Sequence, residues 1–203
     1  MQTTARLFAL VLAAALAGPV AAQDKPAEPE TAAPEAQGGL SLGEPATPQV
    51  GEPYKAADHG DWRITCVKTA DGNDPCQMYQ LLVDGEGNAV AELTIFDVPG
   101  NPEVAAGATF ITPLGTLLTA QATLSVDDAE GKRYPFSWCL QNGCYARVGL
   151  TPLELDNLRR GKQATLTIRA VQAPDQPVVI PVSLNGFAAG FRDLKERTPK
   201  PKQ

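Results

Sequence analysis

Histidine is almost absent from this chain of 203 residues, because His59 is the only one. A Ser-His-Asp triad needs a positioned imidazole, and catalytic zinc sites usually use two or three histidines. No Gly-x-Ser-x-Gly motif stands near a predicted strand-to-helix turn. We therefore name no catalytic residue, expect no metal site and no cofactor, and assign His59 a surface or structural role.

Basic residues are also in deficit, with 17 Lys and Arg against 23 Asp and Glu and a net charge of −6. Nucleic-acid binding requires a clustered basic face, so we expect no nucleic-acid partner. Long apolar runs are scarce as well. The longest run, Leu7 to Leu16, is shorter than the roughly 20 apolar residues that span a bilayer, so we expect no transmembrane segment.

Residues 1–22 instead have the layout of a secretory signal peptide. Arg6 supplies the positive charge, the apolar run follows, and Val20-Ala21-Ala22 forms a small-residue exit. We predict cleavage after Ala22 and a mature protein that is periplasmic or secreted.

Export predicts that the four cysteines form disulfides, because an even number of cysteines in an oxidising compartment is typical of disulfide-bonded proteins. Three pairings are possible. Local pairing of Cys66 with Cys76 and of Cys139 with Cys144 closes two small loops, each worth roughly 2–3 kcal/mol by chain entropy. Neither pair has the Cys-x-x-Cys spacing of redox enzymes, so we favour structural bridges over redox activity.

Three regions follow the signal peptide. Residues 23–57 are rich in Pro, Ala, Glu and Gly, which predicts a disordered acidic linker. It is either a spacer that tethers the domain to the envelope or a plain solvated tail. We place the folded domain at 58–194 and a flexible basic tail at 195–203.

The domain shows short alternating runs separated by turn residues, the rhythm of an all-β protein. We predict an immunoglobulin-like β-sandwich with one or two short helices and two local disulfides. The cysteine spacing is too short for an antibody-type bridge between sheets, so each disulfide closes a hairpin. Predicted strands include Trp62 to Val67, Cys76 to Val83, Ala89 to Val98, Lys132 to Cys139 and Pro177 to Leu184.

A helix is predicted after Thr151, because Thr151, Pro152 and Glu154 form a capping box with proline at the first helical position. Gly161 suits the left-handed position that ends many helices. Phe187, Phe191 and Leu194 have helical spacing and indicate a second, short helix.

The remaining polar and aromatic residues give weak signals. Asp84-x-Glu86-x-Asn88 resembles half of a calcium loop but lacks the sixth-position glycine and the final bidentate glutamate. Hairpin-turn chemistry explains it better. We expect Trp62 in the core, and we name Trp138 and Tyr145 as candidates for a binding surface, since exposed aromatics anchor interfaces.

Four segments in order resemble the invasion-associated locus B family: GDWRITCVKTADGNDPCQMYQ, TFITPLGTLL, YPFSWCLQNGCYARVGL and VVIPVSLNGFAAGFRDL. The resemblance implies a secreted or periplasmic β-sandwich of alphaproteobacteria without enzymatic activity, and its named member is linked to host-cell invasion. It pairs Cys66 with Cys76 and Cys139 with Cys144. The long acidic linker departs from the compact N-terminus expected for the family.

We therefore predict a non-enzymatic envelope protein that binds an envelope component or an envelope or host protein. Two alternatives remain open. One is a hydrolase with paired carboxylates, which needs no histidine. The other is a holdase-like chaperone with exposed sheet edges.

Overall fold

A computed structural model describes Gly43 and residues 46–198 of the chain. Its larger sheet has seven antiparallel strands in the order β1-β2-β3-β4-β5-β9-β8. These strands are β1 (Pro53–His59), β2 (Trp62–Val67), β3 (Cys76–Val83), β4 (Ala89–Asp97), β5 (Ala106–Thr112), β8 (Trp138–Leu140) and β9 (Gly143–Leu150).

A four-stranded sheet in the order β11-β10-β6-β7 faces the larger one. It consists of β6 (Ala122–Val126), β7 (Lys132–Tyr134), β10 (Gln163–Ala170) and β11 (Ala173–Ser183). Two helices complete the fold: α1 (Pro152–Arg160) and α2 (Phe187–Arg197). The predicted all-β sandwich with two short helices and two local disulfides is confirmed.

Alternation along the strands divides the larger sheet into an inner and an outer face. In β2, Trp62, Ile64 and Cys66 are buried, whereas Arg63 and Val67 are exposed. The same period of two continues through β3, β4, β5 and β9, so one face supplies the core. Burial of each large apolar side chain stabilises the fold by about 1.5–3 kcal/mol.

Helix α2 covers part of that inner face. Phe187 meets Trp62 edge-on, with ring centroids 5.2 Å apart, and stacks on Phe191 at 6.2 Å. Gly190 lets the helix approach closely, because a Cβ there would lie 3.0 Å from the Met78 methyl carbon, which would have to shift. The predicted helical spacing of Phe187, Phe191 and Leu194 is thus a core-facing stripe, since all three are buried.

Polar side chains join the two sheets where β3 meets β11. The side-chain amide of Gln80, which is 5% exposed, donates to the Ser183 carbonyl and accepts from the Ser183 amide, both at 3.0 Å. The indole of Trp62 donates to the same carbonyl at 2.9 Å. These bonds satisfy polar groups that would be costly to bury unpaired.

Two predicted boundaries are wrong. Residues 53–57, assigned to the linker that ends before a domain at 58–194, lie in β1 and pair with β2 from Pro53↔Val67 onward. Low aliphatic content hid this strand, which uses Tyr54 and small alanines against the core. Likewise residues 195–197, assigned to the tail, form the last turn of α2, where Arg197 bonds Asp193 at 2.7 Å.

Two local predictions also need correction. The run from Lys132 to Cys139 is not one strand: it divides into β7 and β8, which belong to different sheets. Pro135 lies between them and cannot donate to a ladder. Gly161 has a φ of −64° rather than a left-handed one. Glycine is needed there because a Cβ would come within 2.4 Å of a Val126 methyl carbon.

The predicted capping box of α1 is present. Thr151 accepts a hydrogen bond from the Glu154 amide, and the Glu154 carboxylate accepts from the Thr151 amide at 2.8 Å. The predicted signal peptide, residues 1–22, lies outside the described residues, as do nearly all of residues 23–45 and residues 199–203.

Candidate functional site

Both disulfides join residues that stand directly opposite each other on neighbouring antiparallel strands. Cys66 of β2 bonds Cys76 of β3, and Cys139 of β8 bonds Cys144 of β9, each with a Cα–Cα distance of 4.0 Å. The predicted local pairing is therefore confirmed. Each bridge closes a hairpin at a single register position and leaves no free thiol among the described residues.

The surroundings of the two bridges differ. Cys66 is 1% exposed and belongs to the core. Away from the turn, β2 and β3 continue with every second residue buried. Cys139 lies in β8, in which all three residues are exposed, and only its partner Cys144 reaches the interior. Strand β8 is the outermost strand of the larger sheet, so the second hairpin forms its edge.

The edge hairpin carries an aromatic pair, in which Trp138 is exposed and Tyr145 is half-buried. Trp138 stands opposite Tyr145, and their rings stack with centroids 5.7 Å apart and 18° between the planes. Trp138 is 43% exposed, and Leu140 on the same face of β8 is 56% exposed. The Asn142 side chain donates to the Tyr145 hydroxyl at 2.6 Å and holds the ring in place. We call Trp138, Leu140 and Tyr145 the hairpin surface.

Glycine shapes the turn beneath this surface. Gly143 has a φ of 146°, which only glycine adopts readily, and a Cβ there would lie 2.6 Å from the Thr112 carbonyl oxygen. The chain therefore turns tightly against β5. This turn brings Cys139 opposite Cys144 and Trp138 opposite Tyr145.

Ile111 of β5 extends the hairpin surface by one strand on the outer face of the sheet. The register places Tyr145 opposite Ile111, Ile111 opposite Glu92, and Glu92 opposite Leu81. Leu81 is 47% exposed, and Ile111 is half-buried. The apolar row therefore ends at Ile111, and the charged Glu92 separates it from Leu81.

His59 lies away from this surface. Its Nε2 atom is 2.8 Å from a carboxylate oxygen of Asp193, which also accepts a hydrogen bond from Arg197 at 2.7 Å. The Arg197 bond lowers the pKa of Asp193 below its usual value. The pair joins the end of β1 to α2 and is consistent with the structural role expected from the sequence.

Clefts lined by two carboxylates, as the hydrolase alternative requires, occur at Asp74 with Glu196, at Glu130 with Glu154, and at Asp58 with Asp61. The last of these has a volume of about 390 Å³. Asp58 is bound to Lys55 at 2.9 Å and to Arg63 at 3.4 Å, and the Lys55 bond is the main cause of its lowered pKa. Asp61 accepts a hydrogen bond from the Ser183 hydroxyl at 2.5 Å.

A general acid in such a pair requires a raised pKa. Burial raises the pKa of Asp97, but Asp97 does not line this cleft. Asp58 is held by Lys55 and Arg63, and Asp61 by Ser183, so both carboxylates are engaged in local structure.

The other acidic residues singled out from the sequence also build turns. Asp84 accepts from the backbone amides of Glu86 and Asn88, both at 2.9 Å, which is hairpin geometry. Asp74 accepts from the Tyr54 hydroxyl at 2.7 Å, and that bond is the main cause of its lowered pKa. Within residues 46–198, no group of three or more His, Cys, Asp or Glu side chains is arranged to hold a metal ion.

Sequence reasoning names two residues of the hairpin surface, Trp138 and Tyr145, because aromatics are rare in the chain. It misses Leu140 and the neighbouring Ile111, because alternation shows that a strand has two faces but not which neighbouring strands share them. The pairing order of the sheet supplies that information.

Comparisons of the sequence with a family model and with known proteins identify the same family. The family model described as Invasion associated locus B (IalB) protein matches residues 62–195. Two invasion protein B homologues of Brucella abortus, from strain 2308 and from biovar 1 strain 9-941, are each 30% identical over 139 residues. The match covers 68% of this chain and 78% of each relative.

A solved structure shares the fold. The crystal structure of invasion associated protein b from Bartonella henselae superposes with a TM-score of 0.60 at 23% sequence identity, covering 69% of this chain and 94% of that one. In the described part of the chain, neither helix has the length and apolar character needed to cross a bilayer.

Proposed function

Because the chain belongs to the invasion associated locus B family, we propose that it is an exported, non-enzymatic envelope protein that binds another protein through the hairpin surface. The observation that carries the proposal is the exposed Trp138, which stacks on the half-buried Tyr145 beside the exposed Leu140. Aromatic residues with few rotatable bonds supply large contact area at low entropic cost and dominate binding energy at protein interfaces.

The edge position of β8 supports the same proposal. The strand has a neighbour on one side only, so its other side offers backbone groups to an added strand. The disulfide of Cys139 and Cys144 holds the short hairpin in one conformation without a partner. A preorganised surface loses less entropy on binding than a flexible loop.

The partner is a protein of the bacterial envelope or of a host-cell surface. The relatives from Brucella abortus and Bartonella henselae carry invasion in their names. For this chain we propose only that it binds a protein. The identity of the partner will show which biological process the binding serves. The acidic charge of the chain agrees with a protein partner rather than a nucleic acid.

Photo-crosslinking tests the proposal directly. A photoreactive amino acid at position 140 is compared in living cells with the same residue at position 153, since Leu153 is 70% exposed on α1, outside the hairpin surface. We expect a discrete adduct at position 140 that is absent at position 153. Trp138→Ala should abolish the adduct while the domain stays folded.

A purified partner then separates the alternatives. Saturable binding of the folded partner to the native protein supports the proposal. Equal adducts at both positions, or adducts with many unfolded proteins, overturn it, and the second result favours the chaperone. Cell fractionation and N-terminal sequencing test export, for which a mature start at Gln23 is expected.

A further inference from the structure

The two helices form a groove that the hairpin surface does not include. It has a volume of about 530 Å³, within the range of small-molecule sites in proteins. Helix α1 provides one wall and α2 the other. The lining residues are Leu155, Arg159, Phe191, Arg192, Lys195 and Glu196.

The charge of this groove is opposite to that of the chain. Three of its six lining residues are cations and one is an anion, whereas the protein has a net charge of −6. Within residues 46–198, Arg159, Arg192 and Lys195 form no ion pair within 4.0 Å. Their like charges therefore face one space, in which Glu196 is the one carboxylate of the lining.

Neighbouring basic residues on the same helices behave differently. Arg160 bonds Asp156 at 3.0 Å, and Arg197 bonds Asp193 at 2.7 Å. Arg159 and Lys195 lie in the last turns of α1 and α2, where the helix dipole stabilises a positive charge. Arg192 lies in the middle of α2, so the helix dipole does not explain the third cation of the groove.

The floor of the groove is apolar. Leu155 is 7% exposed and Phe191 is 3% exposed, and both belong to the core. An occupant thus meets cations at the rim and the small exposed parts of Leu155 and Phe191 below. Guanidinium groups match phosphate oxygens in bidentate geometry, and these apolar atoms contact the first carbons of an attached chain.

We propose that the groove between α1 and α2 binds an amphiphile with a phosphate headgroup, namely an anionic phospholipid, whose headgroup contacts Arg159, Arg192 and Lys195. This inference goes beyond the proposed protein-binding function and uses none of its residues. A protein with both sites holds a protein partner at the sheet edge and a lipid at the helices.

Calorimetric titration of the purified full-length protein tests the groove. The probes are dihexanoyl phosphatidic acid, dihexanoyl phosphatidylcholine as the zwitterionic match, inorganic phosphate and a pentaglutamate peptide. We expect phosphatidic acid to bind at least about tenfold more tightly than any other probe, since both the charge-assisted bonds and the apolar contact are then made.

Arg192→Gln and Lys195→Gln should each weaken that binding at least about tenfold, because each removes a charge-assisted contact. Arg147→Gln, an exposed cation on the outer face of the sheet, serves as the matched control and should change nothing. Equal binding of phosphatidylcholine, of phosphate alone or of the peptide would overturn the proposal, as would full affinity in both groove variants. Crosslinking at position 140 is unaffected by these variants, so the two proposals fail separately.

Discussion

The β2–β3 and β8–β9 hairpins carry the same covalent device in opposite surroundings. In each, a disulfide joins directly opposed cysteines, and a tryptophan stands in one of the strands that it joins. Trp62 is 1% exposed beneath α2, whereas Trp138 is 43% exposed at the sheet edge. In the first hairpin both strands contribute to the core, whereas in the second only β9 does, and all three residues of β8 are exposed.

The comparison separates two uses of a disulfide. In β2–β3 the bridge adds to a core that already fixes the strands, through the packing of Trp62 on Phe187 and the bonds of Gln80. In β8–β9 a three-residue strand has little core to hold it, so the bridge substitutes for packing. Trp138 can then be presented rigidly without being buried.

The largest expected difference is between the two tryptophans. Trp62→Ala should lower the free energy of unfolding by about 3–5 kcal/mol, because it leaves a cavity and removes the bond to the Ser183 carbonyl. Trp138→Ala should lower it by no more than about 1 kcal/mol, since only a surface stacking contact is lost. Urea denaturation measures both. Similar losses in the two variants would contradict the division between the hairpins.

Removal of each disulfide should give the next largest effect. Cys66→Ala with Cys76→Ala, and Cys139→Ala with Cys144→Ala, should each cost about 2–3 kcal/mol, with the longer loop of β2–β3 costing slightly more. Amide hydrogen exchange should distinguish them. We expect faster exchange confined to β8 and β9 in the second variant, and a uniform increase through global unfolding in the first. Local opening of β2 and β3 alone would be inconsistent with a core-supported hairpin.

The smallest expected effect on stability concerns Glu154, in the first turn of α1. Burial opposes ionisation of Glu154, but bonds from Thr151, Tyr134 and Lys132 outweigh it and lower the pKa of Glu154 to about 2. A lowered folded-state pKa adds stability above the ordinary value of 4.5, and that stability is lost as the pH falls towards 2.

Glu154→Gln should therefore reduce stability at neutral pH by about 1 kcal/mol. Thermal unfolding of both proteins between pH 7 and pH 2 checks this, and the difference between them should shrink below pH 4.5. A difference that stays constant over this range would show that the carboxylate charge does not contribute. The sharper inference is that α1 is held by the polar contacts of Glu154 as well as by its core leucines.

Local signals allowed much of the fold to be predicted. Period-two alternation located β2, β3 and β4, and the spacing of the cysteines located both bridges. The capping box located α1 within one residue. Each of these features depends on side chains within about ten positions of one another, and that is the range over which a single sequence is informative.

Long-range pairing explains what the sequence did not reveal. Strand β1 has little apolar content of its own and forms because β2 offers an edge to pair with. The run from Lys132 to Cys139 alternates well enough for one strand, yet Pro135 sends its halves to different sheets. The groove cation of α1 lies more than thirty positions from those of α2, so no local sequence pattern predicts that they line the same groove.

Paired measurements on Trp138→Ala test the central claim most directly: its affinity for the partner recovered by crosslinking, and its free energy of unfolding. Leu153→Ala serves as the matched exposed control. The account predicts about thirtyfold weaker binding, with a stability loss of no more than about 1 kcal/mol and no change in the control. Unchanged affinity, or a loss of affinity that follows only from unfolding of the domain, would contradict it.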